Sequence, residues 1–124
     1  MIEAGLTHTS RMTVGDADTA VVQGSGDMAV LATPRMTALM ENAAMLAVAA
    51  SLPEGSTTVG GHISTSHLRP TAVGAVVEAT AVLESVDGRK LSFSVRATQD
   101  GVTIGEGTHL RFIVDRERFL AKLG

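Results

Sequence analysis

The fold is decided by residues 33–50, which read TPRMTALMENAAMLAVAA. Thr33 can cap the start of a helix, and Pro34 can be its first helical residue, because the fixed φ of proline suits that position. Nearly every residue from 36 to 50 is a strong helix former. The segment 51–55, which reads SLPEG, contains a proline and a glycine and predicts the end of the helix.

This predicted helix carries few charges. Arg35 lies near its start and Glu41 in its middle, while six alanines fall between Ala38 and Ala50. A helix that is apolar on most sides is usually buried on most sides. Small side chains also let a sheet approach a helix closely. We therefore expect a long helix packed into a sheet, with Glu41 interrupting its apolar surface.

Strand-like segments lie on both sides of the helix. Residues Leu6–Val14 are rich in Thr and Val and predict a strand, and a short second strand is predicted at Ala20–Gln23. The aspartates at 16 and 18 mark the turn between them. The segments after the helix are predicted as four strands and a short terminal helix: Thr57–Leu68, Val76–Val86, Leu91–Thr98, Val102–Val114 and Asp115–Leu123. Turn signals at 87–89 and 100–101 join the last three strands.

This order of elements predicts an α+β architecture in residues 1–124, as a single domain. One long helix wrapped by one curved antiparallel sheet is the hotdog arrangement. A single sheet with one helix leaves strand edges and a face uncovered. We therefore expect a homodimer.

Composition excludes several classes of protein. The net charge is −3 with no basic block, so nucleic-acid binding lacks its electrostatic footprint. The chain has no cysteine, which excludes a disulfide frame, a Cys-based zinc site and a Cys nucleophile. No apolar run is long enough to span a bilayer, and the first residues lack the apolar core of a signal peptide. The chain is expected to be cytoplasmic, without membrane contact.

Several motifs, in their order and spacing, resemble one known family. They are Ala32-Thr33-Pro34 with Glu41, Val59-Gly60, His67-Leu68 with Pro70 and Gly74, Val77–Ala81, and the run from Gly105 to Arg111, GEGTHLR. Together they resemble the fluoroacetyl-CoA thioesterase-like family of hotdog thioesterases, from about Thr33 to Val114. The resemblance implies that the chain hydrolyses an acyl-CoA thioester, with Thr33, Glu41 and His67 as catalytic residues and Gly60 and Arg111 in support, and without a cofactor.

One departure concerns the loop before the helix. In the namesake enzyme of the family, this neighbourhood supplies an aromatic lid that is tied to the fluorinated substrate. Residues 24–31 contain no Phe here. The resemblance therefore implies thioester cleavage in general, without implying specificity for fluoroacetyl-CoA.

Glu41 is the best candidate for a base or nucleophile. Its place in an apolar run predicts partial burial, and burial makes a carboxylate more ready to accept a proton near neutral pH. It can attack the thioester carbonyl, giving an anhydride, or activate a water molecule. The ordinary alternative is that Glu41 and Asn42 form a polar edge of the helix.

Thr33 is predicted at a helix N-terminus, where free N–H groups favour developing negative charge. Its ordinary role there is a plain N-cap. Eight helical residues rise about 12 Å, so Thr33 and Glu41 are better placed to bracket a substrate than to bond each other.

His67 can donate a proton to the sulfur leaving group or polarise a carbonyl, and its alternative is a structural histidine. His62, His109 and His8 are rival candidates. His62 and His67 are five residues apart and are predicted on opposite faces of the strand, which argues against a shared metal site.

Gly60 and Arg111 complete the predicted site. The glycine can let a backbone N–H approach the thioester oxygen, or it can simply form a bulge. The arginine can pair with Glu41 or a partner subunit, or be a surface cation at a strand end. The candidates for binding the phosphates of coenzyme A are Arg35, Arg69, Arg89 and Lys90, and the sequence does not rank them.

Two other functions fit the same fold. A hotdog hydratase or dehydratase acts on an enoyl thioester, but such enzymes typically carry an Asp and His pair on the helix, and this helix has no His. A non-catalytic acyl-CoA binding module would keep the fold without needing Glu41.

Overall fold

A long helix packs against one face of a curled five-stranded antiparallel sheet in the computed structural model, which describes residues 2–124. The strands are β1 (Thr7–Thr13), β2 (Ser56–His67), β3 (Val76–Asp87), β4 (Lys90–Gln99) and β5 (Val102–Asp115). The helices are α1 (Ala20–Gln23), α2 (Thr33–Ala49) and α3 (Arg116–Ala121). The sheet order is β1-β3-β4-β5-β2, so β1 and β2 are its edges. This arrangement confirms the predicted α+β hotdog architecture.

The core lies between α2 and the inner face of β3 and β4. Side chains alternate between the two faces of a strand, and the alternate residues on the inner face are buried. These residues are Val77, Ala79, Ala81, Leu83, Leu91, Phe93, Val95 and Ala97. Ala43 and Ala44 on α2 have no exposed surface, so small side chains meet on both sides of the contact. The alanine content of the helix therefore serves close packing against the sheet.

The outer side of α2 is left uncovered within one chain. Ala38, Asn42, Leu46 and Ala49 are exposed, and they recur at the three- and four-residue spacing of one helix face. A single sheet covers only one side of a helix. The prediction of a helix packed into the sheet is confirmed, with this outer side left open.

The predicted strand at Ala20–Gln23 is wrong, because these residues form the single turn of α1. The Thr19 hydroxyl accepts a hydrogen bond from the Val22 N–H at 3.4 Å. Gly24 has a left-handed conformation with φ 79° and ends the turn. A threonine cap and a terminal glycine therefore outweigh the strand preference of the two valines between them.

Ala32, and not Thr33, is the N-cap of α2. Ala32 is extended, with φ −69° and ψ 137°, and Thr33 and Pro34 are the first two helical residues. The hydroxyl of Thr33 bonds to His67 on β2 instead of to the helix backbone. The predicted capping role of Thr33 is therefore wrong, while its place at the helix N-terminus is confirmed.

The chain ends in the predicted short helix, α3. Its N-cap is Asp115, whose carboxylate accepts a hydrogen bond from the Arg118 N–H at 3.0 Å. In residues 2–124, no helix has both the length and the apolar character needed to cross a membrane.

Candidate active site

Polar residues follow one side of α2 where it runs beside β2. Thr33, Thr37 and Glu41 are four residues apart in sequence, so they lie above one another on the same helix face. Their counterparts on β2 are, in order, His67, Thr65 and Gly60. We call these six residues the polar seam. Because β2 is an edge strand, the polar seam lies at the edge of the sheet.

Thr33 and His67 form a direct pair at one end of the polar seam. Thr33 Oγ1 lies 2.6 Å from His67 Nδ1, a hydrogen-bond distance typical of a hydroxyl and an imidazole that act together. The other ring nitrogen, Nε2, is buried and has no hydrogen-bond partner within the described chain. Burial lowers the pKa of His67 below that of a free imidazole, although the backbone of Arg69 acts in the opposite direction. The ring is therefore held neutral at neutral pH.

The Thr33–His67 pair lines a cleft of about 350 Å³. One wall comes from the segment between α1 and α2, and the other from the residues that follow β2. The remaining lining residues are Ala20, Ser25, Gly26, Asp27, Met28, Val30, Leu31, Leu68, Arg69 and Pro70. The cleft has the size of a small ligand site, with a polar pair at one wall and apolar groups around it.

Glu41 lies at the other end of the polar seam, against Gly60. A β-carbon added at position 60 would lie 3.2 Å from Glu41 Oε2, 3.4 Å from His109 Cε1 and 3.6 Å from an Nη1 of Arg111. Three functional groups therefore face one small space over Gly60. A glycine keeps this space open, because any side chain would contact the carboxylate.

A β-bulge shapes β2 at this point. The pairing of β2 with β5 shifts register between Gly60 and His62, so Gly61 is the extra residue. A side chain at Gly61 would clash with the ring of Phe112. The predicted bulge is confirmed. The close contact with Phe112 explains why residue 61, directly after Gly60, is also a glycine.

Arg111 is buried, with 7% of its surface exposed, so the alternative of a surface cation is wrong. Its Nε donates to Thr58 Oγ1 at 2.8 Å, and its Nη2 donates to the Thr58 carbonyl at 2.9 Å. Burial lowers the pKa of Arg111, and the negative charge of Glu41 opposes that shift. Arg111 and Glu41 are close enough to interact through their charges, yet they form no direct ion pair in the described residues.

His109 belongs to this group, although the predicted site did not include it. It is 1% exposed and lies beside Arg111 on the inner face of β5. The sequence signal was present, because positions 105, 107, 109 and 111 share one strand face. The two glycines on that face, Gly105 and Gly107, leave room for Met36 and for the backbone of β2.

The structure separates the predicted catalytic residues into two groups. Thr33 and His67 share the cleft, whereas Glu41 lies with Gly60 and Arg111 two helical turns away. The middle of the polar seam is bridged by Thr37 and Thr65, whose hydroxyls are 3.4 Å apart. No hydrogen bond joins Thr33 to Glu41 in residues 2–124, as the helical spacing predicted.

The remaining histidines give no metal centre. His62 is exposed on the outer face of β2, opposite to the face of His67, as predicted. Among residues 2–124 no group of three His, Asp or Glu side chains is arranged to hold a metal ion.

Comparison with known sequences places this chain in a family. The sequence model of the fluoroacetyl-CoA-specific thioesterase family matches residues 14–117, which is most of the chain. The chain belongs to the fluoroacetyl-CoA-specific thioesterase family. The fluoroacetyl-CoA thioesterase of Streptantibioticus cattleyicolor is 44% identical over 95 residues, which are 76% of this chain and 68% of that protein. Membership in this thioesterase family makes the chain a thioester hydrolase.

Solved structures agree with this family assignment. A threonine-to-serine variant of the fluoroacetyl-CoA thioesterase, in complex with acetyl-CoA, superposes with a TM-score of 0.92 at 33% identity, covering 98% of this chain and 96% of that one. A thioesterase superfamily member from Thermus thermophilus gives a TM-score of 0.91 at 25% identity, covering 99% and 91%. The hotdog fold and the hydrolase class that the sequence resemblance implied are both confirmed.

Proposed function

We propose that this protein hydrolyses the thioester of a small acyl-CoA along the polar seam. In this proposal Thr33, Glu41 and His67 are the catalytic residues, and Gly60 and Arg111 bind the substrate. The observation that carries it is the 2.6 Å bond between Thr33 and His67 on the wall of a cleft, in a member of a thioesterase family. These residues need no cofactor for the reaction.

The direct test is to incubate the protein with acetyl-CoA, fluoroacetyl-CoA and longer acyl-CoA thioesters and to follow the release of free thiol. Thiol release at a catalytic rate supports the proposal. Hydration of crotonyl-CoA without thiol release would instead indicate a hydratase. Saturable binding without turnover would indicate a binding module, and either result would contradict a hydrolase.

In the proposed reaction Glu41 acts on a water molecule. The carboxylate takes a proton from the water while the water oxygen attacks the thioester carbonyl carbon. Glu41 lies two helical turns from Thr33, a rise of about 12 Å. This separation favours the water route, because a water molecule can lie between the carboxylate and the thioester carbonyl. Direct attack by the carboxylate, giving an anhydride, is the alternative route and needs a closer approach.

The Thr33–His67 pair acts on the leaving group. When the Thr33 hydroxyl donates to Nδ1, the ring proton is on Nε2, which has no other partner in the described residues. The Nε2–H can then donate a hydrogen bond to the departing sulfur, which leaves as a thiolate as the C–S bond breaks. A thiol has a pKa of about 8.5, so its thiolate leaves readily and this hydrogen bond is sufficient. The products are a carboxylic acid and coenzyme A, whose thiolate takes up the proton that Glu41 removed from the water.

Two of the four candidates for binding the coenzyme A phosphates differ in their surroundings. Arg35 is already paired with Asp18 at 3.0 Å, whereas Arg69 is exposed and lines the cleft beside His67. We propose Arg69 as the residue that meets the nucleotide end of the substrate.

Arg69→Ala is expected to raise KM for acetyl-CoA by roughly 1.5- to fivefold, the range of one exposed charge contact, with kcat little changed. The KM for acetyl-pantetheine, which lacks the nucleotide, should stay the same. Arg96→Ala, on the outer face of the sheet, is the matched control. An equal loss with both substrates would contradict a phosphate contact.

We also propose that the protein is a cytoplasmic homodimer. The edge strand β2 is twelve residues long, and a long open edge is usually covered by pairing. The outer side of α2 exposes Leu46, which one chain alone leaves uncovered. A coenzyme A thioester as substrate fits the cytoplasmic location.

Sedimentation at micromolar concentration should give a dimer for the wild type and a monomer for Ser64→Lys. Ser64 is exposed on β2, and two copies of this strand paired about a two-fold axis would bring the new charges close together. Thr9→Lys, on the opposite edge β1, should remain a dimer. A wild-type monomer would refute the proposed assembly.

A further inference from the structure

His109 is a buried imidazole to which the proposed reaction gives no role. Its Nδ1 lies 2.7 Å from the carbonyl oxygen of His62. A carbonyl oxygen can only accept a hydrogen bond, so Nδ1 carries the hydrogen. The lone pair of the ring is therefore on Nε2.

That lone pair faces Arg111. The Nη1 of Arg111 lies 3.2 Å from His109 Nε2, and a guanidinium can only donate. Burial lowers the pKa of His109, and the positive charge of Arg111 lowers it further, while the His62 carbonyl and Glu41 act in the opposite direction. A protonated ring would direct an N–H at the guanidinium, so this contact exists only with neutral His109.

Each of the three guanidinium nitrogens thus makes one hydrogen bond, which uses three of the five N–H groups. Two bond to Thr58, and the third, Nη1, bonds to His109. Nη1 is also the guanidinium nitrogen that faces the space over Gly60, where the carboxylate of Glu41 lies on the other side. Without an acceptor from His109, the nearest alternative for the buried Nη1 is that carboxylate, and an unpaired buried donor is costly.

We propose that His109 is a positioning residue of the thioesterase, which holds Arg111 beside Glu41 and prevents a direct ion pair between them. The inference rests on the proposed role of Glu41 as a base. A carboxylate in a direct bidentate pair with arginine is held in its ionised form and gives up its lone pairs to the partner. A carboxylate near a guanidinium that is bonded elsewhere stays charged and keeps a free oxygen for water.

Two amide variants separate this role from simple packing. In His109→Gln the side-chain oxygen can reach the Nε2 position and accept from Arg111. In His109→Asn the amide nitrogen can donate to the His62 carbonyl from the Nδ1 position, but no acceptor reaches Arg111. We expect the Gln variant to keep kcat within a few-fold and the Asn variant to lose about tenfold or more in kcat, with KM little changed.

The effect of His109→Asn without Arg111 gives an independent readout. In the Arg111→Ala background, His109→Asn should cause no further loss of kcat, since the residue acts through Arg111. His8→Asn, on the edge strand β1, is the matched control.

Two results would overturn the proposal: equal losses in the Gln and Asn variants, or an Asn effect that persists without Arg111. If the Asn variant does not fold, ¹⁵N NMR of the wild-type imidazoles decides, because a hydrogen on Nε2 of His109 contradicts the required tautomer. Wild-type protein that releases no thiol would refute the thioesterase function, and the NMR measurement would still test the position of Arg111.

Discussion

Glu41→Gln is expected to reduce kcat for acetyl-CoA by about 10²- to 10⁴-fold, the range that a general base contributes. The amide keeps the size and shape of the carboxylate but cannot take a proton from water. KM should change little, because the substituted group acts on the attacking water more than on the bound substrate. Release of free thiol under saturating substrate measures the effect.

The matched control is Glu78→Gln, which changes an exposed carboxylate on β3 in the same way. It should keep wild-type turnover. Glu41 also faces the charge of Arg111, so the melting temperature of each variant must be compared. A folded Glu41→Gln protein with wild-type kcat would remove Glu41 from the reaction, and the fold assignment would survive that result.

Much of the fold could be predicted because its signals are local. The helix α2 has a proline as its second residue and consists mostly of strong helix formers, and the strand boundaries follow turn residues within one or two positions. The helical turn α1 was missed because two adjacent valines favour a strand. The contact that decides this segment is the Thr19 cap, and its single hydrogen bond outweighs a weak intrinsic preference.

The cap of α2 shows the limit of local rules more clearly. Threonine before proline predicts an N-cap, and Thr33 does stand at the start of the helix. Its hydroxyl has a stronger partner in His67, which is 34 residues later in the chain. Only the pairing of the helix with β2 brings these two groups together, so a sequence pattern within one segment could not predict the bond.

The two ends of the polar seam differ in how far the sequence could predict them. The resemblance to the family motifs pointed to Gly60 and Arg111, but the sequence left a surface cation as an alternative for the arginine. The bulge at Gly61 brings β2 and β5 into the register that buries Arg111 against Thr58. His109 then follows from alternation along β5, because a side chain two residues from a buried arginine shares its face.

Thr33→Ala and His67→Ala are each expected to reduce kcat by about 10²-fold, the lower end of acid–base effects, because each removes one partner of a single hydrogen-bonded unit. Residues that act as a unit are not additive. The double variant should therefore lose about 10²-fold, whereas two independent residues would lose about 10⁴-fold. Thr33→Ser, which keeps the hydroxyl, should remain close to wild type.

The pH dependence of kcat/KM tests the same pair through the protonation of His67. Because burial lowers the pKa of His67, the neutral ring persists as pH falls through the ordinary imidazole range. At lower pH both ring nitrogens carry hydrogens, so Thr33 can no longer donate to Nδ1, and kcat/KM should then fall. His67→Gln should lack this step in the pH–rate profile. A wild-type step at or above the ordinary imidazole pKa would show that His67 is not the buried, neutral partner of Thr33 during the reaction.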